Sequence, residues 1–189
     1  VMQDLPLIDG AVADGSLATI PALVGLIDAL KKSGGICHLM GLISPGGVHS
    51  HQDHLVALAN AVAAQGIRVE IHGFLDGRDT PPKSAIEYLA KFEADIGGTP
   101  GIHIATISGR YYAMDRDQRW DRNTLAYSAL VDGDGEAAPD APSSIGQGYA
   151  ADLTDEFIRP TVIGDYTGMA DGDGILMGNF RADRVRQIL

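Results

Sequence analysis

The sequence contains one cysteine and one tryptophan, and it has neither a basic composition nor a long apolar run. Cys37 alone cannot form an internal disulfide, which favours a reducing cytoplasm as the compartment. No stretch reaches the roughly 18 consecutive apolar residues that a membrane span requires. No basic segment precedes an apolar one at the start, so we expect no signal peptide. The net charge of −11 predicts a surface that repels nucleic acid and acidic membranes.

The arginines are concentrated, although the protein as a whole is acidic. Eight of the ten arginines fall in three short segments. They are Arg78, Arg110, Arg116, Arg119, Arg122, Arg181, Arg184 and Arg186. A local concentration of cations within an acidic chain indicates a binding site for a small anion, more than a surface for a polyanion.

Short apolar runs alternate with helical periodicity, which predicts one α/β domain over residues 1–189, with a mostly parallel sheet and helices on both faces. Strands are predicted at 36–43, 67–75, 102–107, 161–164 and 174–177. Helices are predicted at 19–32, 55–64, 80–96 and 120–130. Ser50 is the expected N-cap of the second helix. Thr80, which Pro81 follows, is the expected N-cap of the third helix. Residues 132–148, rich in Gly, Pro, Ser and Asp, are predicted to form a loop.

Four polar segments follow predicted strands, at 44–51, 76–80, 108–122 and 178–184. Because ligands of parallel sheets bind beyond the carboxyl ends of the strands, these segments are expected to open together at one edge. The guanidinium fork of arginine matches phosphate and carboxylate groups, so five arginines could hold a small, multiply charged anion. They are Arg78, Arg110, Arg116, Arg181 and Arg184. Asp79 should stay ionised among them and could accept a hydrogen bond or a proton from a substrate hydroxyl.

The histidines allow two interpretations. His49, in the first polar segment, is expected to contact an anion or a hydroxyl group. The alternative is a metal site, although no cysteine or well-spaced second acidic group completes the ligand set. That site would use His49, His51, Asp53 and His54. Three other histidines lie in predicted strands and are expected to be core residues: His38, His72 and His103.

Four segments, in the same order along the chain, resemble signatures of the 2,3-bisphosphoglycerate-independent phosphoglycerate mutases, also called cofactor-independent mutases. They are residues 38–51 (HLMGLISPGGVHSH), 71–79 (IHGFLDGRD), 107–122 (ISGRYYAMDRDQRWDR) and 179–184 (NFRADR). Residues 3–5 and 14–16 extend the resemblance weakly towards the start. One departure is local: Met177 and Gly178 stand where the family usually has aromatic residues.

The resemblance implies a fold and an activity. Enzymes of this family have two α/β domains and interconvert 3-phosphoglycerate and 2-phosphoglycerate in glycolysis and gluconeogenesis. One domain holds two manganese or similar divalent ions and a serine that carries the phosphoryl group, and the other grips the substrate. This chain resembles the second domain. The implied substrate contacts are His49, Arg78, Asp79, Arg110, Arg116, Arg181 and Arg184. Asp79 would be catalytic, because it would position or deprotonate the receiving hydroxyl.

The family's serine motif and its Asp/His metal ligands have no counterpart in the sequence. We therefore expect this chain to hold no cofactor and to catalyse no turnover alone. Its expected partner is the enzyme's own metal domain, and the full enzyme is expected to be a monomer. Val1 precedes Met2, which suggests a processed or excised chain. Two alternatives remain open: a standalone binding module for small phosphorylated acids, and a metal-dependent hydrolase built on the histidine cluster.

Overall fold

The structure, a computed structural model, describes residues 4–189, so Val1, Met2 and the first residue of the weak match at 3–5 lie outside it. Within these residues the chain forms one six-stranded sheet with helices on both faces. The strands are β1 (Cys37–Leu42), β2 (Val69–Leu75), β3 (Ile102–Gly109), β4 (Glu136–Ala138), β5 (Thr161–Ile163) and β6 (Gly174–Met177). The helices are α1 (Asp4–Ala13), α2 (Pro21–Ser33), α3 (Gln52–Ala63), α4 (Ala85–Ile96), α5 (Arg110–Ala113), α6 (Trp120–Val131) and α7 (Ala141–Ala150). In this part of the chain, no helix is long and apolar enough to cross a membrane.

The strand order is β4-β5-β3-β2-β1-β6. Strands β1, β2, β3 and β6 run parallel to one another, whereas β5 is antiparallel to β3 and β4 is parallel to β5. The predicted α/β class with a mostly parallel sheet is confirmed. The carboxyl ends of the four mutually parallel strands lie at one edge, called the carboxyl edge below, and all four polar segments follow strands that end there.

Each face of the sheet is covered by its own apolar cluster. Leu39 and Ile71 pack on the side of α2, α3, α4 and α7. Met40 and Phe74 point to the opposite side, where α6 and the C-terminal residues cover them. Burial on both faces explains why β1 and β2 are predominantly apolar rather than alternating apolar and polar residues.

The prediction of a loop at 132–148 is wrong, because this segment contains β4 and most of α7. Asp140 caps α7, and its Oδ1 accepts a hydrogen bond of 2.7 Å from the backbone N–H of Ser143. A Cβ on Gly148 would lie 2.7 Å from the Ile158 side chain, so the glycine lets this helix pack closely. Residues that usually form turns therefore serve here as a cap and as a close packing contact.

The predicted cap of α3 is also wrong. His51, not Ser50, is the N-cap, and its Nδ1 accepts a hydrogen bond of 3.2 Å from the backbone N–H of Asp53. Ser50 is instead buried. A cap needs extended backbone and a side chain directed at the first turn, and the sequence pattern did not show which of these neighbours provides both.

Helix α4 begins at Ala85 rather than near Pro81, so Thr80 is not its cap. Asp155 caps it from 70 residues away, since its Oδ2 accepts hydrogen bonds of 2.9 Å from the N–H groups of Ser84 and Ala85. Such a long-range cap leaves no local signal in the sequence.

Two strand histidines lie in a buried polar chain that crosses the sheet, called the histidine chain below. It links Asp173 Oδ2 to His38 Nε2 (3.1 Å), His38 Nδ1 to His72 Nε2 (2.9 Å), and His72 Nδ1 to Thr106 Oγ1 (2.9 Å). With both rings neutral, one set of tautomers satisfies every link. Burial, and then the neighbouring His38, lower the pKa of His72 well below its ordinary value. The prediction of core histidines is confirmed for this pair.

His103 does not follow that prediction, because it is exposed. Strand β5 pairs with β3 only at Thr106 and Ile107, so the first half of β3 has no neighbouring strand on that side. A cavity of about 570 Å³ borders this uncovered half, and His103 is part of its lining.

Candidate functional site

A buried arginine lies at the centre of the carboxyl edge. Arg110 follows β3 directly, and its side chain is only 2% exposed. Its Nη1 donates hydrogen bonds to Asp76 Oδ1 (2.7 Å) and Asp79 Oδ2 (2.6 Å), both on the loop after β2. Burial by itself lowers the pKa of Arg110, but the two carboxylates outweigh it and the pKa is raised. The site therefore contains a fixed positive charge.

Asp76 connects three of the polar segments. Its Oδ2 accepts a hydrogen bond of 2.7 Å from the Ser44 hydroxyl, and its Oδ1 accepts from the backbone N–H groups of Arg78 (3.2 Å) and Asp79 (3.0 Å) as well as from Arg110. Burial raises the pKa of Asp76, but these hydrogen bonds outweigh it and the pKa is lowered. Sequence reasoning did not single out Asp76, although it holds the loops after β1, β2 and β3 together.

Two glycines allow close contacts in these loops, one between the loops after β1 and β2 and one between the loop after β2 and Asp155. A Cβ on Gly46 would lie 3.1 Å from Ser44 Oγ and 3.4 Å from an Asp76 oxygen. Gly77 has a φ of 65°, and a Cβ there would lie 2.9 Å from Asp155 Cβ. The second position therefore combines a left-handed turn with a close contact, and only glycine fits both.

His49 is buried beside this centre. Its Nε2 lies 3.8 Å from Asp79 Oδ2, and its Nδ1 lies 3.8 Å from Asp183 Oδ1, both beyond hydrogen-bonding distance. Burial lowers the pKa of His49, as do Arg110 and Arg181, and these effects outweigh the opposite effect of the two carboxylates. The imidazole is thus neutral near pH 7, and its buried Nδ1 has no hydrogen-bond partner within residues 4–189.

Three arginines surround this centre, and their side chains are about half exposed: Arg78 (54%), Arg116 (47%) and Arg181 (51%). Arg78 Nη1 lies 3.5 Å from Glu156 Oε1. Arg116 Nη1 and Arg181 Nε lie 2.9 and 3.1 Å from the two oxygens of Asp183. A guanidinium carries five N–H donors, so each of these side chains retains donors for a ligand.

Arg184 completes the group. It is partly buried, and its Nη1 donates a hydrogen bond of 3.4 Å to the Met114 carbonyl. Partial burial, followed by the positive charges of Arg116, Arg110 and Arg78, holds the pKa of Arg184 below its ordinary value. Arginines from three segments of the chain therefore act on one another electrostatically, as the cations of one anion site would.

The structure brings all seven residues predicted from the sequence to this edge, and they are called the arginine site below. They are His49, Arg78, Asp79, Arg110, Arg116, Arg181 and Arg184. Sequence reasoning missed Asp76 and Asp183, which the structure places among them. Acidic residues between arginines are also typical of a solvated ion-paired surface, so the pattern alone did not distinguish them.

Asn179 attaches the last polar segment to the sheet. Its Oδ1 accepts a hydrogen bond of 2.9 Å from the N–H of Leu42, and the N–H of Phe180 donates one of 3.0 Å to the His49 carbonyl. Gly178, where the family usually has an aromatic residue, donates its N–H to the Met40 carbonyl at 2.8 Å. The departure from the family pattern thus leaves the backbone beside the site hydrogen-bonded to β1.

The histidine cluster does not have the geometry of a metal site. His51 caps α3, and His54 Nε2 lies 2.7 Å from Asp9 Oδ1. Across residues 4–189, no three His, Cys, Asp or Glu side chains are grouped so as to hold a metal ion. The donor set in this part of the chain therefore does not fit the divalent ions that the family resemblance implies, and we place none of them here.

Known proteins resemble this chain over its whole length. The family model described as BPG-independent PGAM N-terminus matches residues 8–189. A 2,3-bisphosphoglycerate-independent phosphoglycerate mutase of Rhodopseudomonas palustris is 58% identical over 189 residues, and one of Gluconobacter oxydans is also 58% identical. Each match covers 100% of this chain and 37% of the relative, so the chain spans little more than a third of the length of these relatives.

The fold is likewise similar to a solved structure. A crystal structure of Leishmania mexicana phosphoglycerate mutase at low cobalt concentration superimposes with a TM-score of 0.90 and 30% sequence identity, covering 98% of this chain and 36% of that one. The family model, the identities and the shared fold agree with the resemblance of the four polar segments. The chain therefore belongs to the family of 2,3-bisphosphoglycerate-independent phosphoglycerate mutases, and it matches the model that describes the N-terminus of these proteins.

Proposed function

We propose that this chain is the substrate-binding domain of a mutase that interconverts 3-phosphoglycerate and 2-phosphoglycerate. The observation that carries the proposal is the arginine site. In this site, one buried arginine and four arginines with greater solvent exposure surround Asp79 and His49. Phosphoglycerate carries a phosphate and a carboxylate, and both match the guanidinium fork. The single buried Cys37 suits a reducing cytoplasm as the compartment.

The arginines would hold the two anionic ends of the substrate. Each charge-assisted hydrogen bond contributes about 1.5–3 kcal/mol, while lost rigid-body freedom and ordered side chains cost several kcal/mol in return. We therefore expect this domain alone to bind weakly, with a dissociation constant of roughly tens of micromolar to millimolar.

Asp79 is the candidate catalytic residue. It is 22% exposed and held by Arg110, so a substrate hydroxyl could reach a fixed, charged carboxylate. It would orient or deprotonate the hydroxyl that receives the phosphoryl group. The neutral His49 beside it could exchange hydrogen bonds with the same hydroxyl or with a phosphate oxygen.

The phosphoryl-carrying serine and the manganese or similar ions would belong to a second domain of the enzyme, as in the family that the sequence resembles. In this proposal the described chain binds and orients the substrate and does not turn it over alone. Substrate exchange would then require the two domains to separate and close again.

The proposal is tested by titrating this protein with 3-phosphoglycerate at low salt while recording amide and arginine side-chain NMR signals. We expect saturable shifts at the carboxyl edge that are strongly weakened in Arg78→Ala and Arg181→Ala. Arg159→Ala is the matched control, because Arg159 is 55% exposed and pairs with Glu136 beside β4. A folded wild-type protein without saturable shifts would contradict substrate binding by this domain, and unchanged affinity in both variants would contradict the site.

A further inference from the structure

One carboxylate lies among the cations of the arginine site. Asp183 Oδ2 is 2.9 Å from Arg116 Nη1, and Oδ1 is 3.1 Å from Arg181 Nε and 3.8 Å from His49 Nδ1. The side chain is 33% exposed and sits on the short 3₁₀ turn Ala182–Arg184. A negative charge therefore already occupies part of the space where an anionic ligand would bind.

Asp183 differs from two other carboxylates nearby, Asp76 and Asp115. Asp76 and Asp115 each accept backbone N–H groups and thereby hold loops in place. Within residues 4–189, the polar contacts of the Asp183 carboxylate are to Arg116, Arg181 and His49, all members of the arginine site. The local backbone does not depend on it, so a structural role explains this residue poorly.

The contacts of Asp183 are also incomplete. Its Oδ1 and the Nδ1 of His49 are both buried and face each other at 3.8 Å, and neither has a hydrogen-bond partner within the described residues. The 3.1 Å contact of Oδ1 with Arg181 Nε is an ion pair without the geometry of a hydrogen bond. Burial raises the pKa of Asp183, but Arg181, Arg116 and His49 outweigh it, so the carboxylate stays ionised at neutral pH. His49 Nδ1 therefore keeps unused hydrogen-bonding capacity beside Asp183, and the ion pair of Asp183 with Arg181 is not a well-formed hydrogen bond.

We propose that Asp183 is an internal counter-ion, which forms ion pairs with Arg116 and Arg181 in the free protein and releases them to the phosphate or carboxylate of the substrate. This inference rests on the proposed function, because it requires the arginine site to bind an anion. Asp183 would lower the affinity for phosphoglycerate while keeping the arginines in place before binding. The same N–H groups of Arg116 and Arg181 would then contact the Asp183 carboxylate in the free protein and the substrate anion in the complex.

The test compares Asp183→Asn with the wild type in binding 3-phosphoglycerate and inorganic phosphate, measured by calorimetry or NMR at low and high salt. We expect the variant to bind both ligands about threefold to tenfold more tightly at low salt, with a smaller gain at high salt, because one unscreened negative charge has been removed. Asp28→Asn, on the exposed face of α2, removes the same charge elsewhere and should leave both affinities unchanged.

A second readout is the pKa of His49, followed by NMR of the imidazole. The charged groups that face this ring are Asp79 and Asp183, which raise its pKa, and Arg110 and Arg181, which lower it. We expect the pKa to fall further in Asp183→Asn and to stay unchanged in Asp28→Asn. Wild-type binding with equal or weaker binding by Asp183→Asn would overturn this inference and leave the proposed function standing. No binding by either protein would overturn both.

Discussion

The histidine chain and the arginine site both bury histidine, carboxylate and neighbouring polar groups on the same sheet, yet they differ in one respect. In the histidine chain, each ring nitrogen of His38 and His72 has a partner at 2.9–3.1 Å. In the arginine site, His49 Nδ1 has no hydrogen-bond partner among the described residues, and the half-exposed arginines keep unused donors. A structural network is satisfied internally, whereas the proposed binding site retains hydrogen-bonding capacity that a ligand could use.

The arginine site also has a closed part. Arg110 and the neighbouring Asp76 are almost fully buried, and the Nη1 of Arg110 and both oxygens of Asp76 are hydrogen-bonded. This pair forms the rigid foundation beside which the exposed arginines lie. The comparison therefore separates structural from ligand-binding groups within one site. Three substitutions and one pH series test this separation, and they are ordered by their expected effect on stability.

Replacing Arg110 should have the largest effect. Arg110→Met leaves the buried Asp76 without its cation, so the free energy of unfolding should fall by about 3–5 kcal/mol. Urea unfolding measures the change, and binding of 3-phosphoglycerate should be lost in the fraction that remains folded. Arg159→Met, which removes an exposed ion pair, should stay within about 0.5 kcal/mol of the wild type. A loss below 1 kcal/mol for Arg110→Met would show that the Arg110–Asp76 pair is not structural.

The histidine chain should affect stability without affecting binding. His72→Leu leaves His38 Nδ1 and Thr106 Oγ1 without partners, and about 1–3 kcal/mol of the free energy of unfolding should be lost. The dissociation constant for 3-phosphoglycerate should stay within about twofold of the wild type, a difference well below 1.4 kcal/mol. A folded variant with clearly weaker binding would mean that the two networks are coupled, contrary to the distinction drawn here.

Acidification should destabilise the protein through its neutral buried histidines. The pKa of His72 lies well below 6.5 in the folded state, so between that value and 6.5 the unfolded state binds more protons and stability falls as the pH falls. The slope is at most about 1.4 kcal/mol per pH unit for each such histidine. Urea unfolding between pH 7.5 and pH 5 measures it. His72→Leu should reduce the slope more than His49→Leu, whose wild-type pKa is lowered less. Equal slopes in both variants would contradict the comparison.

The exposed arginines should affect binding without affecting stability. Arg181→Ala removes a half-exposed side chain, so the free energy of unfolding should change by less than about 1 kcal/mol. Affinity for 3-phosphoglycerate should fall roughly tenfold or more, because a charge-assisted hydrogen bond is lost. Thermal unfolding and calorimetry, run on the same sample, separate the two effects. A marked loss of stability would place Arg181 with the structural groups instead.

The errors in the sequence-based prediction have specific physical causes. Apolar runs located all the strands of the sheet except β4, and the pattern is strongest in β1 and β2, which are parallel and buried on both faces. Helix α7 was missed because Asp140, Pro142 and Gly148 resemble turn residues, although here they start a helix and allow close packing. The cap of α4 could not be predicted, because Asp155 reaches it from a distant part of the chain.

The motifs of this chain were sufficient to predict its class, the edge at which the polar segments meet and the seven residues that lie there, because parallel strands bring their carboxyl ends together and arginine matches few chemical groups. Only the tertiary structure distinguished the roles within that site. In the folded chain, two carboxylates hold the buried Arg110 as a fixed charge, Asp76 connects three loops, and Asp183 faces two arginines and a histidine. These roles depend on distances and solvent exposure between segments far apart along the chain, which no local sequence pattern encodes.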